Sequence, residues 1–132
     1  MALAIRKTLA FFMMITAFQV SFATVYKVGD SAGWTLPFIG HVNYTDWASN
    51  KTFHVGDVLE FTYSNLFHNV EQVTQKKYES CDATSPIASY SSGNDYIILK
   101  TIGHEYFICG VADHCLLGQK VDINVTAISP LV

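Results

Sequence analysis

The chain has 132 residues, 50% of them hydrophobic and 14% aromatic, which sets disorder aside and fits one packed domain. Eight Lys and Arg stand against 11 Asp and Glu, and the net charge of -3 leaves no basic footprint for nucleic acid. No phosphate-cradling glycine motif occurs, and three cysteines are too few for a disulfide-dense miniprotein.

Residues 1–23 differ in kind from the rest. Arg6 and Lys7 precede an apolar run from Leu9 to Phe18, and the small residues Ser21 and Ala23 flank Phe22 as a signal cleavage site requires. The run is short for a membrane span of roughly 20 residues. Cleavage after Ala23 leaves a single domain over residues 24–132, more acidic than the whole chain because both leader cations depart. The chain ends INVTAISPLV, without an apolar tail for lipid anchoring. The expectation is a secreted, extracellular monomer with no membrane span in the mature chain. Asn43, Asn50 and Asn124 each open an Asn-x-Ser/Thr sequon and are candidate glycan sites in such a product.

Along the mature region short β-rich runs alternate with glycine-marked turns. The predicted strands are Val25–Val28, Val58–Tyr63, Asn69–Thr74, Tyr96–Lys100, Glu105–Cys109 and Val121–Thr126. Leu59, Phe61 and Tyr63 share one face, and Val121, Ile123 and Val125 point inward. Two short stretches read as helical, Tyr44–Asn50 and Lys76–Ser80. Neither is long enough for a crossover between parallel strands. The pattern predicts an all-β domain, an antiparallel sandwich or barrel. Trp34, Tyr44 and Trp47 read as core residues rather than a binding platform.

The chemistry concentrates in Cys109-Gly110-Val111-Ala112-Asp113-His114-Cys115-Leu116-Leu117-Gly118-Gln119. Cys109, His114 and Gln119 fall at five-residue intervals in a loop between two predicted strands, and His68 follows the Val58–Tyr63 strand. One thiolate and two imidazoles form the borderline-soft set of a trigonal copper site, with a weak axial donor that is usually Met and sometimes Gln. Zinc is the chemical competitor, but a neutral Gln is a poor fourth ligand for a structural zinc site. The odd cysteine count asks for a reason. A Cys81–Cys115 pair leaves Cys109 free as the thiolate; Cys81–Cys109 and Cys109–Cys115 remain open on the sequence alone.

The segment from Tyr106 to Cys115, followed by Gly118-Gln119-Lys120-Val121, resembles the copper loop of the phytocyanins, the plant blue copper proteins. Val25-Tyr26-Lys27-Val28-Gly29-Asp30 with Gly33-Trp34, the run from Thr45 through Asp57, and His68-Asn69-Val70 are similar to the same family. Gln119 in place of Met resembles the stellacyanin-like subgroup. The resemblance spans essentially the whole mature region. It implies a cupredoxin-like Greek-key β-sandwich with one or two short helices and one copper ion cycling Cu(II)/Cu(I). It implies equatorial ligands His68, Cys109 and His114, axial Gln119 and a Cys81–Cys115 bridge. Asn69 is expected to restrain the Cys109 sulfur through its backbone.

The expected activity is single-electron transfer with a small-molecule or protein redox partner, and not enzyme catalysis. A hydrolase reading fails for want of a nucleophile-elbow or cysteine-protease context. The alternative is an extracellular non-redox module binding a glycan or peptide, which has no need of four metal donors. His41, His54 and His104 carry no partner pattern and read as ordinary surface histidines.

Overall fold

The computed structural model describes residues 22–127. Nearly all of the leader expected at residues 1–23 lies outside the described residues.

Among the described residues eight strands form two open sheets. β1 (Val25–Lys27), β3 (Val58–Thr62) and β6 (Asn94–Ile98) make a three-stranded sheet in the order β1-β3-β6. β2 (Phe53–His54), β8 (Lys120–Thr126), β7 (Gly103–Ile108), β4 (Val70–Val73) and β5 (Ala88–Tyr90) make a five-stranded sheet in the order β2-β8-β7-β4-β5. The chain therefore crosses from sheet to sheet between β1 and β2, β2 and β3, β3 and β4, β5 and β6, and β6 and β7. All six predicted strands are present, with ends shifted by at most two residues.

Three features depart from the sequence reading. The pairing is not wholly antiparallel: β1 runs parallel to β3, with Val25 opposite Val58, and β2 runs parallel to β8, with Phe53 opposite Val125. Both are very short edge strands reached by long crossings, so no crossover helix is needed. β2 and β5 are additions, too short to show an alternation. Among the described residues there are three short α-helices rather than one or two: α1 (Pro37–Gly40), α2 (Tyr44–Ser49) and α3 (Gln75–Ser80). α1 is a single turn with Pro at its start, where a missing N–H does no harm. α2 begins where the Asn43 side chain accepts the Asp46 N–H at 3.0 Å, and α3 where Thr74 caps Lys77.

The main core lies between the sheets. Leu59 and Phe61 of β3 face Phe107 of β7 and Val121, Ile123 and Val125 of β8, all buried. Phe61 sits at the centre, 5.4 Å from the Phe107 ring and perpendicular to Trp34 at 5.0 Å; Trp34 in turn meets Tyr44 at 4.9 Å. Such rings combine large buried area with favourable edge-to-face contact. A second cluster covers the other face of the larger sheet, where Val73, Ile108 and Cys115 pack under Tyr78 and Cys81.

That second cluster contains the disulfide. Cys81 and Cys115 are bonded, and Cys109 is free and buried, as the family resemblance implied. The bridge joins the end of α3 to the loop before β8 across a sequence separation of 34. Closing a loop of that size removes about 4 kcal/mol of chain entropy from the unfolded state. Replacing both cysteines by Ala is expected to lower unfolding free energy by about 2–4 kcal/mol in a guanidinium titration. An unchanged midpoint would contradict this account of the bridge.

Candidate metal centre

The site forms at one end of the sandwich, where two turns converge. After β3 the chain folds over Ser64, whose carbonyl accepts the N–H of Phe67 at 3.1 Å and of His68 at 3.0 Å. This turn delivers His68 at the mouth of the sandwich. The second turn joins β7 to β8. Cys109 N–H donates to the Gln119 carbonyl at 3.0 Å, and Gln119 N–H donates to the His114 carbonyl at 3.0 Å. The strand ladder therefore continues to Cys109–Gln119, and the residues between them are extruded as a compact loop. Gly118 turns that loop at φ +103°, a conformation L side chains rarely adopt.

His68, Cys109 and His114 converge, with their candidate ligand atoms all within 4.8 Å of one another. The two imidazole Nδ1 atoms are 3.3 Å apart, and Cys109 Sγ lies 3.5 Å from His114 Nδ1. Bond lengths typical of nitrogen and thiolate ligands, about 2.0–2.3 Å, place the donors of a trigonal site about 3.5–3.8 Å apart. The observed spacing is close to that of such a cradle. Cys109 is buried at its floor, and the two histidines are half-buried above it.

Gln119 completes the arrangement. It is 0% exposed, and neither its Oε1 nor its Nε2 has a hydrogen-bond partner. A buried amide left without partners is unfavourable by about 1–3 kcal/mol unless something else occupies it. The orphaned amide is what a weak axial donor would look like. The donor set and its spacing fit a single copper ion.

The electrostatics favour that chemistry at His68 and oppose it at Cys109, whose thiol is held up. Burial pushes the Cys109 thiol up, as does the Glu71 carboxylate to a smaller degree, while backbone amides of Asn69 and Val111 favour the thiolate. Burial and the charge of His114 lower the His68 pKa, with the Gln119 amide acting the other way although it reaches no hydrogen-bond geometry. Both effects keep His68 neutral, the form in which an imidazole binds a metal.

Asn69 does more than the sequence suggested. Its backbone amide favours the Cys109 thiolate, its side-chain Oδ1 accepts the Gly110 N–H at 2.6 Å and its carbonyl accepts the Trp34 indole N–H at 2.8 Å. A Cβ at Gly110 would lie 2.9 Å from Glu71 Cγ and 3.1 Å from Asn69 Oδ1, so the residue after Cys109 has room only for hydrogen. Glu71 was not anticipated: it is buried beside Gly110, and an acid in a strand carries no sequence signal of burial.

The remaining histidines stay apart from the centre. His41 caps α1; His54 lies 3.6 Å from Asp57, and His104 lies 2.6 Å from Asp122. Asn43, Asn50 and Asn124 are all exposed. Among the described residues no helix is long and apolar enough to cross a membrane.

Comparison with known proteins is consistent with this geometry. The plastocyanin-like domain family matches residues 34–119. Over 104 residues the chain is 65% identical to the stellacyanin of Toxicodendron vernicifluum, covering 78% of this chain and 97% of that one. A blue copper protein of Arabidopsis thaliana is 43% identical over 121 residues; the match covers 92% of this chain but only 61% of the relative. Cucumber stellacyanin in its Cu2+ form superposes with a TM-score of 0.73 at 37% identity, over 81% of this chain and 98% of that chain. Cucumber basic protein, a blue copper protein, gives 0.69 at 38% identity, over 78% and 100%. The chain belongs to the plastocyanin-like domain family and has the cupredoxin fold. Within that family it is a stellacyanin-like phytocyanin.

Replacing Asn69 with Ala strands the Gly110 N–H and should lower unfolding free energy by about 1–3 kcal/mol. Chemical denaturation of the metal-free protein measures this, and a loss below about 0.5 kcal/mol would mean that water replaces the side chain without penalty.

Proposed function

We propose that this protein is a secreted single-electron carrier rather than an enzyme, and that His68, Cys109 and His114 hold one copper ion with Gln119 as the axial donor. The observation that carries the reading is the convergence of two Nδ1 atoms and one buried sulfur beside an orphaned amide. The similarity to blue copper proteins supports it.

Bound copper would supply a Cu(II)/Cu(I) couple, with strong thiolate-to-Cu(II) covalency from Cys109. The chain's own residues supply the rest. Cys109 is fixed by the Cys109–Gln119 backbone bond, and the Asn69 and Gly110 contact holds its neighbour. A cradle that does not move between oxidation states keeps reorganisation small. The Gln119 amide oxygen is a harder donor than a thioether, so it favours the oxidised ion and lowers the potential. The cradle excludes water from the sulfur by burial and leaves the imidazoles as the path outward.

That path has a defined surface. Leu66 and Phe67 precede His68, and Leu116 and Leu117 follow His114; all four are strongly exposed. An apolar rim of this kind suits brief contact with a neutral or aromatic face, whether of a small molecule or of a protein. Residues 1–23 serve as the secretory leader, and the mature monomer begins at Thr24 in the extracellular space. The exposed sequons at Asn43, Asn50 and Asn124 are its candidate glycan sites.

Two substitutions test the ligand set. Cys109→Ser is expected to lose the thiolate-to-copper absorption completely while keeping the far-ultraviolet dichroism of a β-sandwich; a variant that remains blue would sink the assignment. Gln119→Met is expected to raise the reduction potential measured by protein-film voltammetry. A potential that stays level or falls would rule out axial ligation by Gln119.

A further inference from the structure

Asp57 is an acid buried far more deeply than its place in a turn requires. It follows Gly56 between β2 and β3 and is 2% exposed. Its Oδ2 accepts the His54 N–H at 2.9 Å, with the His54 imidazole Nδ1 3.6 Å away. Its Oδ1 accepts the backbone N–H of Thr24 at 2.9 Å. Thr24 is held from its other side as well, because its carbonyl accepts the Val58 N–H at 2.9 Å and the β1–β3 ladder begins at Val25 and Val58. Upstream, Phe22 and Ala23 are exposed and belong to no strand or helix.

We infer that Asp57 is the receptor for the α-ammonium group of the mature chain. Hydrolysis of the Ala23–Thr24 bond consumes one water, leaves a carboxylate on Ala23 and turns the Thr24 amide nitrogen into an amine that takes up a proton. The new cation is created 2.9 Å from a buried carboxylate oxygen. An α-amino group ordinarily titrates near pH 8, so it is charged at and below neutrality.

The inference rests on the leader boundary proposed above, and it explains why the carboxylate is there. A buried carboxylate is unfavourable unless paired. The groups facing Asp57 are the Thr24 nitrogen, the His54 imidazole, which is charged only when protonated, and the Tyr26 phenol. Burial first, and the Asp57 charge second, push the Tyr26 pKa up, so that phenol stays neutral. Among the described residues no Lys or Arg pairs with Asp57. Before cleavage Thr24 offers a neutral hydrogen bond; after cleavage it offers a charge-assisted one of roughly twice the strength. Processing thus locks β1 onto β3 at the first residue of the mature fold.

The test is a double-mutant cycle on protein secreted from cells expressing the full chain. One arm is Asp57→Asn. The other inserts Gly-Ser between Ala23 and Thr24, so that the same processing leaves the Thr24 nitrogen as an amide. Terminal sequencing of the unaltered protein should read Thr24 first. The insertion should lower the urea-derived folding constant about tenfold with Asp57 present and less than about twofold in the Asp57→Asn background. Equal losses in both backgrounds would overturn the pairing and leave the leader boundary standing. A terminus other than Thr24 would overturn the boundary and the inference with it. If Asp57→Asn is not secreted, acylation of the Thr24 amine near neutral pH decides in the unaltered protein. It should be at least about tenfold slower than in urea, and equal rates would overturn the pairing.

Discussion

The structure depends on one residue that joins its core to its site. Asn69 accepts the Trp34 indole N–H on its carbonyl and the Gly110 N–H on its side chain. Trp34 is the largest of the fully buried side chains and meets Phe61 edge-on, next to the Phe61–Phe107 pair between the sheets. Gly110 is the residue after Cys109, and His68 is the residue before Asn69. The packed interior thereby fixes the separation of a thiol and an imidazole that are 41 residues apart. Movement of either loop would break a hydrogen bond in the interior, which is why a cradle on two loops can be rigid.

This rigidity is supplied in layers. The aromatic core packs β3 against β7 and β8. The Cys81–Cys115 bridge ties the ligand loop to α3 on the outer face of the larger sheet, next to His114. Asn69 closes the gap between the two loops. Only then do His68, Cys109 and His114 share a centre with an otherwise unpartnered Gln119 amide. The far end of the sandwich carries its own anchor, where Asp57 holds Thr24 and the first strand. At each end a polar side chain accepts a backbone N–H from a distant segment, Gly110 at Asn69 and Thr24 at Asp57.

The convergence of His68, Cys109 and His114 was legible in the sequence, because these residues fall in two short runs and their types admit few chemistries. Cys109, His114 and Gln119 sit in one loop, and His68 was singled out by the strand before it. Six of the eight strands were legible, the longest from alternation, as in Val121, Ile123 and Val125. β2, β5 and α1 were not, since two to four residues give no period to read; β1, equally short, showed itself only by its Val-Tyr-Lys-Val composition. The parallel pairing of β1 with β3 and β2 with β8 was hidden for another reason: strand direction at an edge depends on long crossings, not on local pattern. Glu71 and Asp57 were missed because acids are expected at the surface, and only packing reveals them as buried. The second role of Asn69 was invisible for the same reason, since a side chain facing Gly110 is a tertiary fact.

The account stands or falls on copper. Purified mature protein titrated with Cu(II) and followed by visible absorption and electron spin resonance tests it most directly. The account predicts one equivalent bound, with an intense thiolate-to-copper band that ascorbate bleaches and an oxidant restores. A colourless protein that takes up no stoichiometric copper would contradict it, and would leave the fold without the proposed function.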